Sequence, residues 1–138
     1  KMYTTNELEK YITAQIESKL GSVDWTNVNF TEGNKNSVEG TYIFSKDNAY
    51  HILFAEKGKI RDEKVTTDEK KIIYSVLDIV SFDIAMKFAI SNREKHKDFR
   101  RKLFEKEVEI YSLFGDDFEK NKKREIEEIL EENPYKDI

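Results

Sequence analysis

The chain has 138 residues, of which 38% are charged, with a net charge of −4 and no cysteine. That length suffices for one ordinary hydrophobic core, and the missing cysteine excludes disulfide frameworks, thiolate metal sites and cysteine nucleophiles together. Charge of both signs is mixed along the sequence, which describes a solvated surface rather than a disordered acidic tail.

The first element is signalled by Thr4 with Glu7 three residues on, a capping box, followed by Leu8, Tyr11, Ile12, Ile16 and Leu20 at helical spacing and Gly21 as a stop. From Val23 to Thr66 the pattern changes. Trp25, Val28 and Phe30 precede the turn cluster GNKNS, and then come GTYIFS, KDN, AYHILFAEKGK and IRDEKVT. Aromatic and β-branched runs punctuated by Gly, Asn and Asp predict three or four short antiparallel strands. Thr66 and Glu69 form a second capping box and open one long helix through IIYSVLDIVSFDIAMKFAISN. A third helix is predicted from about Asp98 to Phe114, closed by Gly115, and a fourth opens at Asp116 and Glu119 and stops at Asn133 and Pro134. This order gives an α+β fold: an N-terminal helix, a small antiparallel sheet, then three helices packed together on it, in a single domain spanning 1–138.

Little in the sequence suggests a reaction. The glycines are scattered, and none opens a phosphate-binding loop. His51 lies in a predicted strand with one buried face, which favours a structural histidine over a general base, and His96 sits among surface lysines. The two are too far apart to suggest a zinc site, and no spacing of carboxylates singles out a divalent-ion site. No catalytic residue, metal ligand or cofactor is therefore expected. Apolar runs all fall short of a bilayer's thickness and the first residues lack a signal-peptide pattern, so a cytoplasmic protein without membrane contact is expected.

The stretch NREKHKDFRRKLFE, from Asn92 to Glu105, carries six Lys or Arg against three acids. A phosphate backbone is one partner for such a run. The acidic remainder of the chain and the lack of interleaved exposed aromatics argue against nucleic acid. A helical turn of about 100° per residue divides the stretch by face. With Phe99 at zero, Ile110, Leu103, Phe114, Tyr111 and Phe104 fall between about 20° and 140°, and Arg100 falls at about 100°, inside that apolar arc. Arg93 would fall at about 120° if the helix reached back to Asn92, whereas Arg101, at about 200°, sits at the edge and points outward. On the preceding helix Asp83 lies inside the apolar face formed by Ile72, Ile73, Val76, Leu77, Val80 and Ile84. Because a buried guanidinium needs an acid or several carbonyls, an interhelical pair from Asp83 to Arg100 or Arg93 is expected, with a local Asp83–Lys87 pair as the alternative.

AYHILFAEKG, TTDEKKIIYSVL and NREKHKDFRRKLFE together resemble the immunity protein 63 family of bacterial polymorphic toxin systems, over about residues 40 to 130. Asp98-Phe99-Arg100-Arg101 with Phe104 is the most specific part. The resemblance implies a small α+β protein without catalytic activity that binds and neutralises a cognate toxin encoded beside it. Carried over by motif, the matching positions are Tyr50, Glu56, Tyr74, Arg93, Asp98, Arg100, Arg101 and Phe104, and the facial positions make most of them, with Asp83, architectural. A partner surface is then sought elsewhere. The C-terminal helix offers Asp116, Asp117, Glu119, Glu125, Glu128 and Glu132, with exposed faces of the strands as a rival. An acidic inhibitor suits a basic target such as a nuclease. The alternative is a non-catalytic interaction or scaffold domain with an unrelated partner.

Overall fold

The computed structural model describes residues 2–33 and 38–138, so most of the GNKNS turn cluster lies outside the described residues. The chain is α+β, with an N-terminal helix, a four-stranded mixed sheet and then helices. It divides into two compact units, Lys1–Ile79 and Val80–Ile138.

In the first unit, α1 (Thr5–Leu20) starts as its sequence dictates. The Glu7 N–H donates to Thr4 Oγ1 at 3.2 Å and the Thr4 N–H donates back to Glu7 Oε1 at 2.9 Å, which satisfies two helix-end donors. Leu8, Ile12 and Ile16, one face at helical spacing, are fully buried. The helix ends at Gly21, whose φ of 71° suits a residue without Cβ.

The sheet runs β1 (Val28–Asn29), β2 (Gly40–Lys46), β3 (Ala49–Glu56) and β4 (Lys59–Thr66), in that spatial order. The β2–β3 and β3–β4 pairs are antiparallel hairpins, whereas β1 joins β2 in parallel through two residues, so the expectation of a wholly antiparallel sheet is corrected. Both hairpin turns place two consecutive residues at positive φ, Asp47-Asn48 and Lys57-Gly58, the geometry that matches strand twist. Tyr42, Phe44, Leu53 and Ala55 form a buried cluster on one face, and Ile43 and Tyr50 are fully buried on the other. By contrast β4 is an edge strand exposed from Lys59 to Val65.

α2 (Glu69–Val80) begins later than the predicted capping box allows. Thr66 Oγ1 accepts from the Asp68 N–H, and the Asp68 carboxylate takes the cap position by accepting from the Lys70 N–H at 2.9 Å. The long predicted helix is also two helices. Ser81, with ψ of −11°, interrupts it, and α3 (Phe82–Ser91) follows. The apolar periodicity runs through Ser81 without a break, which is why the sequence pattern does not reveal the interruption.

In the second unit, α3, α4 (Arg100–Ser112) and α5 (Asp116–Glu132) pack in sequence, α3 against α4 and α4 against α5. Tyr111 and Phe118 hold the α4–α5 contact, with Phe114 stacked on Phe118 at 5.9 Å. α5 opens at Asp116 as expected, and Gly115 before it, at φ 125°, turns the chain between the two helices. Among the described residues no helix is long and apolar enough to cross a membrane.

Candidate functional site

Of the motif residues in the first unit, Tyr50 is buried and Glu56 and Tyr74 are half-buried. Tyr50 is fully buried, and its hydroxyl accepts from the Tyr3 N–H at 3.0 Å and donates to Glu69 Oε1 at 3.3 Å, tying the chain start, β3 and the first residue of α2 together. Burial pushes the Tyr50 phenol above its ordinary pKa, and the neighbouring Glu69 charge adds to that. Glu56 ends β3 and faces Arg61 at 3.8 Å across the hairpin. Tyr74 is half-buried on α2. His51 stacks on Phe44, with Nδ1 3.0 Å from Glu63 and Nε2 3.2 Å from the Lys46 carbonyl.

The second unit gathers the basic stretch into one site. α4 starts at Arg100, so the preceding residues form a loop and Arg93 is exposed, its guanidinium 5.8 Å from the Phe99 ring. Asp83, in the first turn of α3, is exposed as well. The expected pair from Asp83 to Arg100 or Arg93 does not form. Arg100 instead turns to Asp98, two residues before it, through Nε at 3.3 Å and Nη2 at 2.9 Å. The physical reason is proximity: Asp98 folds over the helix start, where its Oδ1 also accepts from the Arg100 N–H at 2.9 Å.

The remaining donors of Arg100 reach the C-terminal tail. Nη1 donates to the Asn133 carbonyl at 2.8 Å and Nη2 to the Pro134 carbonyl at 2.9 Å. Asp98 Oδ2 accepts from the Lys136 N–H at 2.8 Å, and the Asp98 N–H donates to Asp137 Oδ1 at 2.7 Å. Arg101 grips Asp137 with Nε at 3.1 Å and Nη2 at 2.9 Å, and its guanidinium lies 4.1 Å from the centre of the Tyr135 ring. Tyr135 also meets Arg100 at 5.5 Å and the buried Phe104 at 6.3 Å. Finally the Ile138 N–H donates to the His96 carbonyl at 2.9 Å. The stretch His96–Phe104 thus latches residues 133–138.

Charge sets the chemistry of this latch. Hydrogen bonds from the Arg100 side chain and from the Lys136 and Arg100 N–H groups hold the Asp98 carboxyl well below the usual range. Arg101 and the Asp98 N–H do the same for Asp137, though less strongly. Burial pushes the Tyr135 phenol up, against the pull of the two arginines. Beside the latch, Phe104, Val108 and Ile126 floor an open groove between α4 and α5, edged by Arg101 and Tyr135. The two arginines are committed to acids and carbonyls of the protein's own chain.

Among the predicted acids of α5, Glu119 pairs with Lys123 at 2.9 Å and Glu125 with the buried Lys122 at 3.3 Å. Asp116, Asp117, Glu128 and Glu132 are exposed, with the Asp117 carboxylate accepting from the Phe118 N–H. Glu125, Glu128 and Glu132 come together with the exposed Ile129 and with Asn133 around one shallow concavity, away from Asp116 and Asp117 in the first turn. The tail residues Tyr135 and Asp137 were not singled out by sequence pattern. An aromatic and an acid following Pro134, in a chain with two adjacent arginines needing partners, are the available signal.

Fold and site together define a small α+β protein in which Asp98, Arg100 and Arg101 hold the chain's own residues 133–137. The chain belongs to a family described as immunity protein 63, whose profile matches residues 46–128. All the motif positions from Tyr50 to Phe104 fall inside that span, and the latched tail lies beyond it. No curated protein and no solved structure matched the chain.

Proposed function

We propose that the protein binds and neutralises a cognate polymorphic toxin in the cytoplasm of the bacterial cell that produces it, acting by contact rather than catalysis. Membership of an immunity protein family supports this reading of the chain as a partner-binding protein. The observation that carries the choice of surface is the outer end of α5, where Glu125, Glu128 and Glu132 surround the exposed Ile129. An apolar anchor within an acidic rim suits a basic protein surface, of the kind a nuclease presents to its substrate. Complementary charge would speed encounter and disfavour wrong partners.

Two of these glutamates have cations one turn back, Lys122 for Glu125 at 3.3 Å and Arg124 for Glu128 at 4.0 Å, and the acidic end as a whole still runs against the helix. Glutamates near a helix C-terminus oppose the helix dipole, and Glu128 with Glu132 adds a like-charge pair one turn apart. Charge kept against helix stability is consistent with a role in recognition. The exposed strand β4 is a second acceptor surface, because its outer edge pairs with no strand among the described residues.

The test is co-expression with the toxin domain encoded by the neighbouring gene. Survival of the cells and co-purification of the two proteins are expected. Cell death with no complex recovered would overturn the assignment.

A further inference from the structure

α5 lacks a basic residue in its last turn, where Glu128, Glu131 and Glu132 stand. A helix end of this composition should fray, because its last carbonyls lack a cationic partner on the helix itself. Arg100 on α4 lies at that end, donating to the carbonyl of Asn133, the residue that caps α5, and to that of Pro134. Its orientation is fixed from behind by Asp98. Asn133 in turn closes the helix by donating its N–H to the Ile129 carbonyl at 2.9 Å.

We propose that Arg100 is the C-terminal cap of α5, supplied from the neighbouring helix, and that it holds Glu128, Ile129 and Glu132 in one docking face. Asn133 lines the same concavity as Glu125, Glu128, Ile129 and Glu132, so the capped residue and the face are contiguous. A cation placed at the cap opposes the accumulated negative charge, and by holding the carbonyls of the cap residue Asn133 and of the next residue, Pro134, it fixes the chain where it leaves the helix. The Arg101 and Tyr135 contacts keep the tail in place so that the carbonyls stay within reach of Arg100. The latch is therefore a positioning device. Opening it should melt the last turn of α5 and scatter the docking face while the α4–α5 core around Phe118 stays folded. The docking role of this face rests on the function proposed above, but the capping role does not.

Hydrogen exchange on the full chain, with no partner present, reads the cap directly. In Arg100→Gln, the amides of 129–133 should exchange about tenfold faster while those of 118–126 stay near wild type. Adding Glu131→Lys, which places a cation in the last turn of α5 itself, should return most of the protection. A rescue of this kind separates capping charge from a general loss of packing. Should Arg100→Gln fail to fold, Asp98→Asn, which only loosens the guanidinium, is expected to give the same local pattern more weakly. Unchanged exchange at 129–133, or no rescue by Glu131→Lys, overturns the proposal. With the toxin domain added, Arg100→Gln should also protect cells less well than the wild type. Full protection despite a frayed last turn would overturn the link to docking, whereas absence of protection by the wild type would count against the function and leave the exchange result standing.

Discussion

Asp98 and Asp137 are joined backbone to side chain, the N–H of Asp98 donating to Asp137 Oδ1 at 2.7 Å across a separation of 39 residues. Each carboxylate also has its own arginine, Arg100 for Asp98 and Arg101 for Asp137.

That pairing makes the latch sensitive to acid. Both carboxyls are held below their ordinary values in the folded protein, so as the pH falls the unfolded chain takes up protons first. The latch contribution is complete above the unfolded value of about 3.9 and declines as the pH drops through and below it. Melting temperatures recorded across that range should fall with pH in the wild type. The slope should be shallower in Asp98→Asn, and an unchanged slope would remove Asp98 from the account.

Tyr50→Phe should destabilise the first unit by about 1 to 3 kcal/mol, since the buried hydroxyl is the partner of both the Tyr3 N–H and Glu69. Urea unfolding measures this. A change within error would mean that water replaces the hydroxyl at no cost.

Gly40→Ala should cost about 1 to 3 kcal/mol as well, for a backbone reason. Gly40 sits at φ +149°, and a Cβ there would lie 3.1 Å from Asn29 Nδ2 and 3.3 Å from the Asn27 carbonyl oxygen. The strain falls where β1 meets β2, so exchange of the Thr41 N–H, which donates to the Asn27 carbonyl at 2.9 Å, should quicken in the variant.

Reversing charge on the outer end of α5 should separate binding from folding. Glu128→Lys with Glu132→Lys is expected to leave the melting temperature unchanged or slightly raised, because both side chains are exposed and the dipole favours cations there. Association with a basic toxin should slow by about tenfold or more at low salt, with the difference shrinking as salt is added. Equal rates for wild type and variant would move the interface away from α5.

Local signals in the sequence suffice where one turn or one cap decides the outcome. The Thr4–Glu7 box, the Gly21 stop and the turns at Asp47-Asn48 and Lys57-Gly58 all need only neighbouring residues. The break at Ser81 is hidden because the apolar stripe continues across it. Arg100 shows a different limit. Helical geometry put it on the apolar side of α4, and its side chain is 21% exposed against 44% for Arg101. Its partners do not follow from facial geometry, because Asp98 is reached by local folding of the helix start and the tail by a chain reversal that no periodicity encodes. The tail has no repeat to read, and its role depends on contacts made only in the folded chain.

One feature of the sheet bears on how such a protein changes over generations. From Lys59 to Val65 the strand β4 contributes no buried side chain, while its backbone remains bonded to β3. Its side chains can therefore be exchanged with little penalty to the core, provided the hydrogen-bond ladder survives. Divergence along β4 is thus limited by the backbone ladder and hardly at all by the interior.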